Sequence, residues 1–236
     1  MRIRLLALAI VACLIGPACA NELAPELRIL LDGFAAHRRL AIGYLRTGNT
    51  ELGAVEIERL RDRWARDRRA LPAPTTSDRT LIAAFAASEA AINDGLAAAD
   101  KGETESARSL LEGAASPLTA WRKANNIRLF SDCIAEASVR YEALDGYRLR
   151  PPNLTDPASA AAVVAAAAST AAAIGQCNAE APAAIRDEPE FRRLIDGMLN
   201  SLRQVHDAVR QRDENYLQRL LSEQRSFDRL LAFRFG

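Results

Sequence analysis

Apolar residues return at three- and four-residue spacing along almost the whole chain, and alternating, strand-like runs are absent. That period lines one face of an α-helix, and a chain built only of such stripes must bury them helix against helix. Leu27, Leu30, Leu31, Phe34, Ala41 and Leu45 form a first stripe; after Thr47-Gly48-Asn49-Thr50, Leu52, Ile57, Leu60 and Trp64 form a second. A linker with Pro72 and Pro74 runs into Ser77 and Asp78, which are helix-start residues. A third stripe (Leu81, Phe85, Ile92, Leu96) carries Ser88 as its small polar member and turns at Lys101-Gly102-Glu103-Thr104. A fourth (Ala107, Leu110, Leu111, Leu118, Trp121) contains Pro117, which either kinks that helix or starts a new one.

The second half repeats the plan. Phe130, Cys133, Ala137, Tyr141 and Leu144 share a face, with Gly146 as a plausible stop. After Pro151 and Pro152, Asp156-Pro157 reads as an N-cap and first-turn proline, opening a helix that is almost pure alanine over residues 158–174. A last hairpin carries Phe191, Ile195, Met198, Leu202 and Val205 to an acidic turn at Asp213-Glu214, then Leu217, Leu220, Leu221, Phe227 and Leu231. An offset of 110 residues carries Ile92 onto Leu202, Glu103 onto Asp213, Leu111 onto Leu221 and Trp121 onto Leu231, and it carries Gly48 onto Ala158, where the chain is expected to turn. The pattern predicts an all-α fold of antiparallel helical hairpins in two tandem four-helix bundle units, residues 21–125 and 126–236. A single irregular eight-helix domain is the alternative arrangement of the same stripes.

Ahead of these units stands a leader. Arg2 and Arg4 precede an apolar run over residues 5–15, and Ala18-Cys19-Ala20 is a small-x-small cleavage site before Asn21. That is the layout of a secretory signal peptide over residues 1–20, and its apolar core is too short for a permanent anchor. Gly16-Pro17-Ala18 suits lipid attachment at Cys19 poorly, so plain cleavage after Ala20 is expected, with a periplasmic or secreted product. Cleavage leaves 216 residues with 29 Lys+Arg against 30 Asp+Glu, and this balance gives no electrostatic reason to expect nucleic acid as a partner. The alanine-rich helix holds Ser159, Ser169 and Thr170, so no transmembrane span is expected in the mature chain. Only Cys133 and Cys177 remain after cleavage, and two cysteines in an exported protein most simply pair. Such a bridge contributes about 4 kcal/mol in the chain-entropy model; two free thiols or a metal pair are the other readings. Counting about 1.5 Å per residue back from the turn and beyond it leaves the two cysteines at heights that differ by roughly 10 Å, a mismatch that unequal helix starts must absorb.

The stretch from Pro189 onward, with Pro189-Glu190-Phe191-Arg192, Gly197, the Leu202-x-x-Val205-x-x-Ala208 face, the acidic turn and Arg225-Ser226-Phe227, resembles the second hairpin of cytochrome b562 and the related class II cytochromes c. The resemblance covers about fifty residues and implies a four-helix bundle. In that family a histidine near the end of the last helix holds haem, sometimes within Cys-x-x-Cys-His. Residues 225–236 contain no histidine and that motif occurs nowhere in the chain, so no cofactor is expected.

Signatures of catalysis are missing: no His-Glu-x-x-His, no Glu-x-x-His, no Gly-x-Ser-x-Gly and no phosphate-binding glycine loop. Six arginines between Arg59 and Arg69 are interleaved with Glu58, Asp62 and Asp67 and read as a salt-bridged, solvated face. Two histidines, His37 and His206, stand out by scarcity; His37 and Met198 would ligate haem iron only by meeting from different halves. The segment with His37, Arg39, Tyr44 and Arg46 is the first candidate for a ligand- or partner-binding surface, because core packing does not require that combination. Tyr44 and Arg46 are expected to fix the Gly48 turn, leaving His37 and Arg39 to a ligand or partner. The expected function is an exported, non-catalytic helical-bundle protein that binds a partner protein or small ligand; the alternative is a haem-b electron carrier of the cytochrome b562 type.

Overall fold

A computed structural model describes residues 23–236 and is all-α, with no strand among those residues. The leader, its cleavage site, Cys13 and Cys19 lie outside the described residues. Helices α1 (Pro25–Arg46), α2 (Thr50–Arg69), α4 (Arg79–Asp100) and the pair α5 (Thr104–Gly113) and α6 (Ser116–Ala124) make a first quartet, with the short α3 (Ala73–Thr76) before α4. Helices α7 (Phe130–Leu149), α8 (Pro157–Glu180), α10 (Pro189–Gln211) and α11 (Glu214–Phe235) make a second, with the short α9 (Ala183–Arg186) before α10. Each quartet closes on itself: α1 packs on α2 and α5 while α4 packs on α2, α5 and α6, and α7 and α10 each pack on both α8 and α11. The buried residues fall into two separate clusters, one ending at Leu129 and the other beginning at Cys133.

Local chemistry sets the helix ends. Asn49, Asp78, Asp156 and Asp213 accept hydrogen bonds from the first-turn amides of α2, α4, α8 and α11. Pro117 starts α6 as a separate helix, because a proline nitrogen cannot continue the ladder of α5. Gly146 does not stop α7, which runs on to Leu149.

The repeat is visible in the burial pattern, with one correction. From α2 onward the offset is 110: Ile92 and Leu202, Ala107 and Leu217, Leu111 and Leu221 are equivalent buried pairs, and α3 and α9 coincide. The turns coincide too, with Gly102 at φ +76° and Arg212 at φ +56°. Ala158, however, lies in the first turn of α8, not in a loop. The first helices instead match at an offset of 103, which sets Leu30 on Cys133, Leu31 on Ile134 and Ala41 on Leu144. The seven-residue difference goes into four more loop residues and three more at the start of α8, and Leu154 of that loop is buried in the second core.

Cys133 and Cys177 form a disulfide with Cα atoms 5.6 Å apart, tying the start of α7 to the end of α8. Extending α7 to Leu149 removes about half of the height mismatch expected from the sequence, and the connection over residues 150–156, with Leu154 folded inward, spans the rest. Helices α4 and α8 are long and apolar enough, by length and composition, to cross a membrane. In the structure each is a wall of its quartet, with Phe85 and Ile92 of α4 and Val163 and Ile174 of α8 turned into the cores.

Candidate functional site: the junction between the quartets

The segment singled out in the sequence lies where the two quartets meet, and the structure gives most of its polar groups internal work. Arg39 donates from Nε to the Phe233 carbonyl and from Nη2 to the Arg234 carbonyl, each at 3.1 Å, and from Nη1 to the Gly236 carbonyl. A guanidinium suits the end of α11, where carbonyls lack helical partners and carry partial negative charge. Burial and the neighbouring Arg38 charge draw the Arg39 pKa down to about 10. Gly43 of the same helix leaves room for Phe233, whose ring lies 3.2 Å from where a Cβ would stand.

The remaining members of the segment divide. His37 Nδ1 lies 3.5 Å from Glu56 Oε2 on α2, and Glu56, 7 % exposed, also accepts from Arg59 at 2.5 Å. Arg46 reaches Glu112 on α5 at 2.9 Å and does not brace the Gly48 turn. The turn closes on the Tyr44 backbone carbonyl, not on its phenol: that oxygen accepts from the amides of Thr47 and Asn49 and from Thr47 Oγ1 at 2.8 Å. His37 and Met198 belong to opposite quartets, Met198 being fully buried in the second core, so they do not meet. Of the arginine run, Arg61 pairs with Glu58 and Asp62, and Arg63 and Arg66 with Asp67, so each of the three interleaved carboxylates is used. Among the described residues no cluster of three His, Cys, Asp or Glu side chains is placed to hold a metal.

What sequence reading missed is the groove that this junction creates. A narrow lobe of about 170 Å³ is walled by Leu31, Phe34, Leu118 and Leu129 and carries Arg38, Arg122 and Asp132. A wider lobe of about 600 Å³ shares Thr119, Arg122, Asp132 and Ala135 with it and adds Lys123, Ile127 and Arg128. Arg122, only 7 % exposed, grips Asp132 with both terminal nitrogens. Burial works against ionisation of Asp132, but the hydrogen bonds from Arg122 and from the Leu129 amide outweigh it and hold the carboxyl below its usual range. The same carboxylate caps α7 through the Leu129 amide at 2.8 Å, so one pair sets both the link between α6 and α7 and the floor of the groove.

Arg38 makes the narrow lobe electrically unusual. Its Nη1 donates to the carbonyls of Leu111 at 3.2 Å and Glu112 at 3.4 Å, while its Nε is buried without a partner. Burial lowers its pKa, as expected of a cation held away from water. No adjacent residues in the sequence signal this site, since its walls come from α1, α6 and α7. The one legible hint was the density of polar groups on α1. Comparison of the chain with family models, with curated proteins and with solved structures returns no match.

Proposed function

We propose that this is an exported, non-catalytic binding protein of the periplasm or the extracellular space, and that its partner or ligand seats in the junction groove. The observation that carries the reading is the groove itself, a two-lobed depression with an apolar wall and a buried guanidinium at its centre. Ligand sites have that composition, apolar surface with a few placed polar groups, and they favour the boundary between units. Export is supported by the leader at residues 1–20 and by the disulfide, since such bridges persist in oxidising compartments. The lack of a sequence motif for nucleophilic or metal-assisted chemistry favours binding over catalysis.

The test is native mass spectrometry of protein taken from its own host, compared with a Thr119→Trp variant that fills both lobes at their shared wall. A bound species that is present on the native protein and lost from a variant of unchanged melting temperature supports the site. A species retained by the variant places binding elsewhere. N-terminal sequencing of the same sample should begin at Asn21, and an intact Met1 in a soluble cytosolic fraction would remove the export reading.

A further inference from the structure

The groove does not end at the junction. Its wide lobe shares Glu136 with a third depression of about 310 Å³ that runs between α7 and α8 and is lined by Val139, Arg140, Ala173 and the disulfide. One outer face of α7 therefore forms a continuous trough, because Asp132, Ala135, Glu136, Val139 and Arg140 recur at helical spacing. From Asp132 to Arg140 it extends about 12 Å along the helix axis, with the flanking lobes adding to both ends. On α7 its apolar residues are open to solvent, Ala135 being exposed and Val139 63 % exposed, whereas the Leu118–Leu129 wall shows only its edge.

Charge decides what fits this trough. The two carboxylates that line it are already used: Asp132 by Arg122, and Glu136 by Arg128 at 3.0 Å. Arg128 is shared with Glu180 as well. Three lining cations form no ion pair among the described residues, namely Arg38, Lys123 and Arg140, although the Glu112 carboxylate outside the trough acts on Arg38 through its charge. The trough thus carries a local excess of three positive charges on a chain whose net charge is only +1. A low-dielectric cleft concentrates such a field, which makes it selective for an opposite charge spread over the same length.

We infer, building on the proposed binding role of the junction, that the trough docks an acidic peptide segment of a partner protein, with carboxylates spaced to reach Arg38, Lys123 and Arg140 in turn. Apolar side chains between those carboxylates rest on Val139, Ala135 and the Leu118–Leu129 wall. Single small anions meet only one of the three cations at a time and gain correspondingly less.

Fluorescence anisotropy of the mature protein with a labelled, acetylated ten-residue peptide alternating Glu with Leu and Ala tests this, with the Lys counterpart as control. The acidic peptide should bind and the basic one should not, and binding should weaken steeply between 0.05 and 0.5 M salt, on the order of the screening expected for exposed charges. Lys123→Glu with Arg140→Glu should weaken it by at least roughly tenfold, while Lys101→Glu, at the far turn between α4 and α5, should leave it unchanged. Equal binding of both peptides, an equal effect of Lys101→Glu, or full displacement by millimolar acetate would overturn the inference. A host species that Thr119→Trp displaces from a protein indifferent to the acidic peptide would leave the junction role standing and this inference fallen. Retention of that species by Thr119→Trp would remove the junction role itself.

Discussion

Trp64 in the first quartet and Ile174 in the second hold the same place in the repeat, yet the cores around them are built differently. Trp64 sits between Phe34 at 5.2 Å and Phe85 at 5.5 Å, and these three rings fill the middle of the first core. In the second quartet the alanine-rich α8 supplies little volume, and Thr170, Ser201 and Gln224 are buried at mid-core. Gln224 of α11 donates to the Met198 carbonyl of α10 at 3.0 Å, and the buried disulfide fastens α8 to α7. One helical register thus tolerates two placements of its bulk: rings around Trp64 in the first copy, and in the second a disulfide and small residues along α8 with the rings of Phe130, Phe191 and Phe235 gathered apart from Ile174. The difference also provides a probe, because both tryptophans, Trp64 and Trp121, lie in the first quartet, so their fluorescence follows that quartet while circular dichroism follows both.

The comparison breaks most visibly at Trp64. Trp64→Ala should cost about 3–5 kcal/mol and shift the unfolding followed by the remaining Trp121 fluorescence, with the disulfide-bearing quartet melting as before. A common shift of both signals would show instead that the quartets unfold as one unit. Next in size is the covalent tie. Replacing both Cys133 and Cys177 by serine should cost about 2–4 kcal/mol in the second quartet, seen in circular dichroism and not in tryptophan emission.

Glycines sharpen the contrast inside the second quartet. A Cβ on Gly197 would stand 2.6 Å from the Phe227 ring of α11, whereas one on Gly175 of α8 meets nothing within 4 Å. Gly197→Ala should therefore destabilise by about 1–3 kcal/mol, and Gly175→Ala should stabilise by about 0.5–1 kcal/mol; chemical denaturation measures both. The equivalent turns give a smaller effect. Gly102 adopts its positive φ freely, while Arg212 holds the same conformation against its own Cβ, so Arg212→Gly should raise stability by about 0.5–1 kcal/mol.

Acid probes a single cap of the first quartet, with the smallest effect. Asp78, which caps α4, is held down to about 2 by hydrogen bonds from the Thr80 hydroxyl, the Trp121 indole and the amides of Leu81 and Thr80. Its folded pKa lies below its ordinary value of 3.8. Its contribution is therefore complete above that value and is lost as the pH falls toward about 2. Asp78→Asn should flatten this acid limb in tryptophan fluorescence, and an unchanged limb would assign it to other carboxylates.

Much of this fold was legible because helix period, proline, glycine and capping residues act locally. The stripes, the Pro117 break and the Asp156 cap all follow from neighbours a few residues apart, and the cysteine pair followed from there being only two to join. The register of the first helices was not legible, since seven extra residues shared between a loop and a helix start leave no local mark. The candidate segment on α1 stood out in the sequence by its excess of polar groups at a core edge. What those groups touch was hidden, because Arg39 meets α11 and Arg46 meets α5 only after the chain has folded back on itself. The groove was hidden for the same reason: Arg38, Arg122 and Arg140 share no periodicity until three helices bring them together.

The Arg39 clasp also orders events in time. Its bonds join residues 194 to 197 positions apart, whereas each quartet is assembled from hairpins of much nearer neighbours. Contacts that close so long a stretch of chain are entropically late, so the first quartet can mature while the second is still being made. The clasp then forms as the final docking event, and the narrow end of the groove, which includes Gly236, exists only afterwards. Binding at that end would report that the two quartets have docked on one another, beyond each having folded by itself.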